Sequence, residues 1–443
     1  MRKFSSLLLL VLLLVGGAGL TLLSNSVSNS EDPVRSARYQ RYQLQRIDLY
    51  LLEALQQEKI DLWLVVTREN NPDPLAQDLF AHTAVLPAAL FFEVREGKLR
   101  ARVICANFDA TPFEQSGVYE EVIPYGREGL RPHLKRLIEE INPKRIGVNI
   151  SELEPLADGL SAGLKSYVEH SIGEKYAARM VSAQDVVSSF RSRKVPDEIA
   201  LYREAVKQTI QLEEEALSRK VITPGVTTEI DVANYLRKRM IELNVTCAWG
   251  ESGCPNVMAG AARGHSDAST TVIEPGRLVR IDFGIKIHGY CTDIQRMAYV
   301  LREGETEPPA EVQEVWETVL RANEAAVAAM RPGVTGVDVD TAARKIITDA
   351  GYDEFIHATG HPVGYFTHDI GPLTGPDWPD RYGDRVFRKL EAGQIHAIEP
   401  SVTLRLPWIP DGPVGVGLEE QVLVTADGAE YLGGHQTELI LIR

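Results

Sequence analysis

The stretch RIDFGIKIHGYCTDIQR, residues 280–296, decides how this chain is read. His288-Gly289 is a two-residue turn signal, because glycine accepts positive φ, and the flanking residues alternate as hairpin strands do. With that turn, Ile287 pairs with Tyr290, Asp282 with Gln295 and Gly284 with Asp293. Directly paired residues share a face, so Asp282 and Asp293 become diagonal neighbours roughly 7–8 Å apart. Gly284, with no side chain, leaves room between them. Ile281 and Phe283 point to the opposite face and suit a core. Two like charges in a partly buried hairpin are costly, and something must neutralise them. Arg280 and Arg296 are near enough to do so as a salt-bridged hairpin. Divalent metal ions are the other solution, and carboxylates bridging a metal pair about 3.5–4 Å apart suit this spacing.

The downstream sequence supplies further donors. FIHATGHPVGYFTHDIGP (355–372) brings His357, His361 and His368 together among glycines, three of the ten histidines in the chain. AIEPSV (397–402) sets Glu399 in an apolar strand, and VGLEEQVLV (416–424) does the same for Glu419 and Glu420. A glutamate in a buried strand needs a partner for the same reason as the aspartates.

The 443 residues suggest two or three domains, and 44% hydrophobic with 25% charged residues is an ordinary globular composition. The net charge of −15 argues against a nucleic-acid partner, which would want a basic face. Arg2 and Lys3 precede SLLLLVLLLVGGAGLTLL, and residues 1–30 read as an exported protein's signal peptide or, uncleaved, as an N-terminal membrane anchor. Either reading places the main chain outside the cytoplasm, periplasmic or extracellular. Four cysteines permit disulfides there; Cys247 and Cys254 are close enough in sequence to pair, and four buried thiols are the alternative.

Strands at 60–67, 89–94, 101–107 and 145–150 alternate with a helix at 130–141, which implies an α/β domain. Helices follow at about 196–219 and 227–243, then the hairpin. Helices near 309–330 and 336–350 and strands near 394–425 repeat that order, although no short sequence repeat accompanies it.

These pieces resemble the pita-bread metallopeptidases, in the Xaa-Pro branch of aminopeptidase P and prolidase. The matching segments are RIDFG, GYCTDIQR, HATGHPVGYFTHD, AIEP and GLEEQVLVT, with FRSRKVPDEIALYREA (190–205) as the family's lead-in. IDLWLVV and MVSAQDVV resemble the family's N-terminal domain. The resemblance implies an α/β (α+β) chain. A C-terminal pita-bread catalytic domain with a pseudo-twofold repeat, 189–443, would follow a smaller creatinase/prolidase-like domain, 31–188. It implies a dinuclear metallopeptidase that releases an N-terminal residue preceding proline or splits an Xaa-Pro dipeptide. The implied ligands of two divalent ions are Asp282, Asp293, His361, Glu399 and Glu419, with Glu419 rather than Glu420 on the ligand position. Mn²⁺ is the first choice, with Zn²⁺, Co²⁺ or Fe²⁺ as alternatives; an oxygen-rich donor set with one imidazole suits all four. Such ions lower the pKa of a bridging water and polarise the scissile carbonyl. His265 and His368 fall on substrate-facing histidines, His368 in an oxyanion-stabilising role, and His357 on one at the mouth of the site. Glu399 doubles as proton shuttle. A peptide substrate and a homodimer follow from the same resemblance.

Three departures stand out. Gly417 occupies the position of a family arginine, and Ser401 that of a glycine after the Glu-Pro pair. TRENNPDPLAQDLF replaces an asparagine-tyrosine segment near the substrate, and Arg405 offers a stand-in cation. Two alternative readings keep the same fold: a binding protein without catalysis, and a metal-free creatinase-type amidinohydrolase. The five intact ligands count against both.

Overall fold

The structure is a computed structural model that describes residues 33–443 apart from His265, so the signal or anchor segment lies outside the described residues. Among those described, no helix is long and apolar enough to cross a membrane.

The first half is built on one six-stranded mixed sheet. Its strands are β1 Leu62–Thr67, β2 Ala88–Arg95, β3 Lys98–Ala106, β4 Glu121–Tyr125, β5 Ile146–Val148 and β6 Met180–Ser182, in the order β4-β3-β2-β1-β5-β6. Alternate residues of β1 serve two cores. Trp63 and Val65 join Phe92 and Phe190 on one side, and Leu62 and Leu64 join Leu134 and Ile138 on the other. A strand covered on both faces must be apolar throughout, which is why β1 reads LWLVV without alternation. Helix α1, Pro33–Arg46, precedes this sheet; α2, Leu130–Ile141, covers it; α3, Gln184–Ser192, leads out of it.

The second half has two similar units. In the first, α4 (Pro196–Ala216) and α5 (Glu229–Leu243) lead into β7 (Asn256–Ala259), β8 (Leu278–Phe283) and β9 (Ile294–Val300), joined at the edge by the C-terminal strand Ile440–Ile442. In the second, α6 (Ala310–Ala329) and α7 (Gly336–Asp349) precede β10 (Gly360–Pro362), β11 (Ile395–Ile398), β12 (Ser401–Leu404), β13 (Val414–Gly417) and β14 (Glu420–Val424). β10, β11 and β14 form an antiparallel sheet with Ala429–Tyr431, while β12 and β13 pair separately. A short repeat does mark the two units, contrary to the sequence expectation. PGVTTEID (224–231) and PGVTGVD (332–338) each open the second helix of a pair. Gly225 (φ 77°) and Gly333 (φ 88°) take the left-handed backbone that the turn requires. Asp231 and Asp338 then accept from the backbone N–H of Thr228 (2.9 Å) and Thr335 (3.2 Å), the carboxylate half of a capping box.

A buried ion network ties the two halves together. Arg46 donates to Asp78 (3.3 Å), to Glu198 and to the Tyr365 hydroxyl (3.0 Å). Arg191 donates to Asp78 and to Asp369 (2.9 Å). Glu198, at the start of α4, also accepts from the Val195 N–H (2.8 Å) and from Tyr290 (2.6 Å), so both carboxylate oxygens are used. Asp369 follows His368, so the network also holds the loop that carries the candidate site histidines. All four cysteines are free thiols; Cys247 donates to the Cys254 carbonyl rather than bonding to its sulfur.

Candidate active site

The hairpin forms in the expected register. Ile287 faces Tyr290, and Asp282 faces Gln295. His288 (φ 52°) and Gly289 (φ 89°) are both left-handed, as a type I′ turn demands. The ladder breaks where Gly284 would face Asp293, and there the role expected of the glycine changes. A Cβ on Gly284 would lie 2.0 Å from the Thr292 carbonyl oxygen and 2.7 Å from the Trp249 ring. Glycine is needed for that backbone approach, not to leave room between the aspartates. Across the break Thr292 accepts from the Ile285 N–H (2.8 Å), and the Asp293 N–H donates to Gln421 (3.2 Å).

Arg296 does not neutralise the hairpin. It pairs with Glu420 at 2.9 Å, and Glu420 also accepts from the Gln436 N–H. Glu419 faces the other way. The ligand atoms of Asp293, His361 and Glu419 lie within 4.8 Å of one another, and all three residues are buried. His361 Nε2 is the hub, at 3.4 Å from Asp293, 3.7 Å from Glu399 and 4.0 Å from Glu419. Two strand pairings produce this convergence. β10 sets His361 against Ala397 on β11, two residues before Glu399. A single bridge between Gln295 and Glu419 joins the two sheets at the cluster.

The cluster carries more negative charge than it can hold unaided. Burial, then Asp293, lift the Asp282 carboxyl to about 7. Burial, then Asp293, Glu399 and Asp282, push Glu419 well above the carboxylate range. Burial pulls the His361 imidazole down, but Asp293 and Glu399 outweigh it and raise it to about 9. Asp293, Glu399 and Glu419 around one imidazole, with Asp282 coupled to them electrostatically, form a donor set that fits hard or borderline divalent cations.

Two of the other predicted histidines, His368 and His357, lie beside this cluster. The His368 ring lies 4.2 Å from that of His361, centroid to centroid. His357 shares hydrogen bonds with the Ala358 carbonyl (2.7 Å) and the Ser401 hydroxyl (2.9 Å), and its Nδ1 is 3.9 Å from Glu399. Ser401, a departure from the family pattern, thus anchors His357. His265 lies outside the described residues, but the carbonyls of Gly264 and Ser266 on either side accept from the Asn256 amide (3.3 and 2.8 Å). Arg405 is exposed and forms no ion pair among the described residues.

Several supporting residues escaped the sequence reading. Asn323 on α6 is fully buried and donates to the carbonyls of Ile398 (2.8 Å) and Leu418 (3.5 Å), the residues just before Glu399 and Glu419. Thr209 on α4 shares a hydrogen bond with Thr292 (2.8 Å), just before Asp293. Arg344 on α7 donates to the His357 carbonyl (3.0 Å). Glu213, one turn after Thr209, is fully buried behind the cluster, and neither carboxylate oxygen has a described hydrogen-bond partner. Its inward position could have been read from the four-residue spacing Ala205, Thr209, Glu213 within a run of acids that otherwise looks solvated.

Comparison with known proteins converges on one family. The model of metallopeptidase family M24 matches residues 200–426. A Bacillus subtilis protein named as a dipeptidase, YkvY, is 30% identical over 346 residues, 76% of this chain and 85% of that one. The Xaa-Pro dipeptidase of Lactobacillus delbrueckii is 32% identical over 251 residues, 55% of this chain and 60% of that one. Among solved structures, an Xaa-Pro dipeptidase from Bacillus anthracis superposes with a TM-score of 0.60 at 25% identity, covering 90% of this chain and 99% of that one. An X-Pro aminopeptidase from Thermotoga maritima shares the fold, with a TM-score of 0.61 at 24% identity over 88% of this chain and 99% of that one.

Proposed function

The chain belongs to metallopeptidase family M24, and on that premise we propose that it cleaves short peptides at the bond preceding proline. In this reading Asp282, Asp293, His361, Glu399 and Glu419 hold two divalent ions, with Mn²⁺ the first choice. The observation that carries the reading is the convergence of Asp293, Glu399 and Glu419 on His361 Nε2, in a pocket where burial resists the ionisation of Asp282 and Glu419. Bound divalent ions supply Lewis-acid polarisation of the scissile carbonyl and activation of a water.

The chain's own residues supply the rest. Glu399 is the most exposed of the three carboxylates within 4.0 Å of His361 Nε2, with 30% of its side chain exposed. It can take a proton from an attacking water and return it to the leaving proline nitrogen. His368, whose ring is tilted 43° against that of His361, donates to the oxygen that gains charge as the carbonyl becomes tetrahedral. His357, fixed by Ser401 and Ala358, presents its ring beside Glu399. Residues 1–30 place this activity outside the cytoplasm in the same reading, which fractionation of cells producing the full chain tests.

The assay is release of the first residue from Xaa-Pro dipeptides and Xaa-Pro-Yaa tripeptides by the purified chain, with Mn²⁺ and then with chelator. Metal-dependent release supports the reading. No release with Mn²⁺, Co²⁺ or Zn²⁺ refutes it.

A further inference from the structure

The loop that carries His265 has little of its own to hold it in place. Residues 260–268 read GAARGHSDA, mostly small side chains, and none of the described residues from 261 to 268 is fully buried. The two stems of this loop are gathered instead by Glu229, the first residue of α5, which is fully buried. Its Oε1 accepts from the Ala259 N–H (2.7 Å), at the entry to the loop. Its Oε2 accepts from the Ser269 N–H (2.8 Å) and the Ser269 hydroxyl (2.7 Å), at the exit. Arg263, within the loop, donates to the same Oε2 at 2.5 Å. One carboxylate thus joins the entry, the middle and the exit, with one oxygen for each stem. Four donors, one of them a guanidinium, offset the cost of burying the charge. Asn256 on β7 meanwhile holds the carbonyls on either side of His265.

The second unit shows that such a glutamate is not needed to start the helix. Both α5 and α7 open with a threonine–aspartate capping pair, Thr228 with Asp231 and Thr335 with Asp338. The residue after the threonine is Glu229 in the first unit and Gly336 in the second. A Cβ on Gly336 would lie 1.9 Å from the Leu373 carbonyl oxygen, so α7 packs straight onto backbone and has no room for a side chain there. The cap is common to both units. The buried carboxylate belongs to the unit whose strands β7 and β8 are joined by the loop of His265.

We propose that Glu229 is a positioning residue for the reaction: by tying both stems of the loop it fixes where His265 stands against the substrate. This rests on the peptidase reading above, in which His265 faces the substrate. Glu229→Gln isolates the effect because the side chain keeps its size. Its amide oxygen can accept at one stem only, and its NH₂ group then faces backbone N–H or guanidinium donors at the other. Whichever way the amide turns, one stem comes loose.

The test is a double-mutant cycle in kcat/KM for Ala-Pro with Mn²⁺, using the full chain as wild type, Glu229→Gln, His265→Ala and the double variant. Glu229→Gln should lower kcat/KM about 10- to 100-fold with metal content unchanged, the usual cost of removing a group that orients an active-site side chain. In the His265→Ala background the same change should cost no more than about twofold. An equal loss in both backgrounds, or a wild-type rate for Glu229→Gln, overturns the proposal. Asp231→Asn weakens the cap of the same helix without touching the loop; it should lower the melting temperature and leave kcat/KM alone. A loss matching that of Glu229→Gln would assign the effect to the helix start and overturn the proposal as well. If Glu229→Gln does not fold, Ser269→Ala combined with Arg263→Met, which removes two of the four donors, replaces it in the cycle. Amide exchange across 260–268 reads the loop without turnover, and Glu229→Gln should quicken it about 10-fold or more; exchange equal to wild type overturns the proposal. A wild type that hydrolyses no Xaa-Pro peptide but shows this contrast in exchange refutes the peptidase reading and leaves Glu229 as the residue that fixes the loop.

Discussion

Arg191→Met should be among the most destabilising single changes outside the metal cluster. The Arg191 side chain is 3% exposed and bridges two carboxylates that are just as buried, Asp78 and Asp369. Methionine is long enough to occupy much of the same space, so the loss is chiefly electrostatic. Asp78 keeps Arg46 at 3.3 Å, and Asp369 keeps the backbone N–H groups of Tyr365 and Ile370, both at 2.8 Å. Those remaining partners limit the cost to that of one broken buried pair, about 3–5 kcal/mol, out of a typical total of about 5–15 kcal/mol.

The pH dependence has a definite sign. Burial raises the Asp369 carboxyl, but Arg191 and Lys194 outweigh it and hold it below the usual range. A lowered carboxyl contributes stability above its unfolded pKa, near 3.9, that is lost as pH falls through the folded value. Without Arg191 most of that contribution disappears. The deficit of the variant should therefore be largest near neutral pH and shrink on acidification. Urea denaturation followed by circular dichroism at about pH 7 and about pH 3 measures both quantities. A deficit below about 1 kcal/mol at neutral pH, or one that grows on acidification, would refute the reasoning. Activity should fall as well, because Asp369 holds the loop of His361 and His368. Asp369→Asn in the Arg191→Met background should recover part of the stability by removing the stranded charge.

Asp293→Ala should abolish both activity and tight metal binding; stoichiometric metal in the purified variant would sink the ligand assignment. His368→Ala should lower kcat about 10²–10³-fold, as loss of one oxyanion donor does, with metal content unchanged; a wild-type rate would remove the histidine from the reaction. Metal-free protein should lose stability as pH rises from about 5 to about 9. Asp282, raised to about 7, and His361, raised to about 9, both favour folding while protonated, and that stability is lost as pH rises through those values. Melting temperatures with chelator that stay flat or rise over this interval would contradict the charge balance assigned to the cluster.

What the sequence discloses here is what neighbouring residues determine together. The turn at His288-Gly289, the alternation on either side of it and the pairing of Asp282 with Gln295 are local, and the structure has all three. The helix at Leu130–Ile141 and the starts of α4 to α7 follow from apolar spacing and first-turn chemistry in the same way. Gly284 was read correctly as a special position but for the wrong reason, because its crowding comes from Trp249, 35 positions away, and from the Thr292 carbonyl across the strand. The seam is harder still. Arg46 and Tyr365 are separated by 319 residues, and an arginine at the end of an amphipathic helix ordinarily faces water. Asn323 lies within an alanine-rich helix with nothing beside it to indicate that its amide reaches two strands.

The hidden residues share a purpose that follows from the charge in the cluster. Carboxylates drawn around His361 repel one another, so the strands that carry them tend to move apart unless the backbone is held from behind. Each helical pair provides such a hold through its first helix: α4 reaches Thr292, next to Asp293, and α6 reaches the carbonyls before Glu399 and Glu419. The contacts are made by short, uncharged side chains, which add no charge to a site already overloaded with it. A duplicated helix–helix–sheet unit suits this arrangement because each copy presents its sheet to the other while its own helix backs the strand. The two sheets then meet at the bridge between Gln295 and Glu419, within the repelling cluster itself, where rigid support counts.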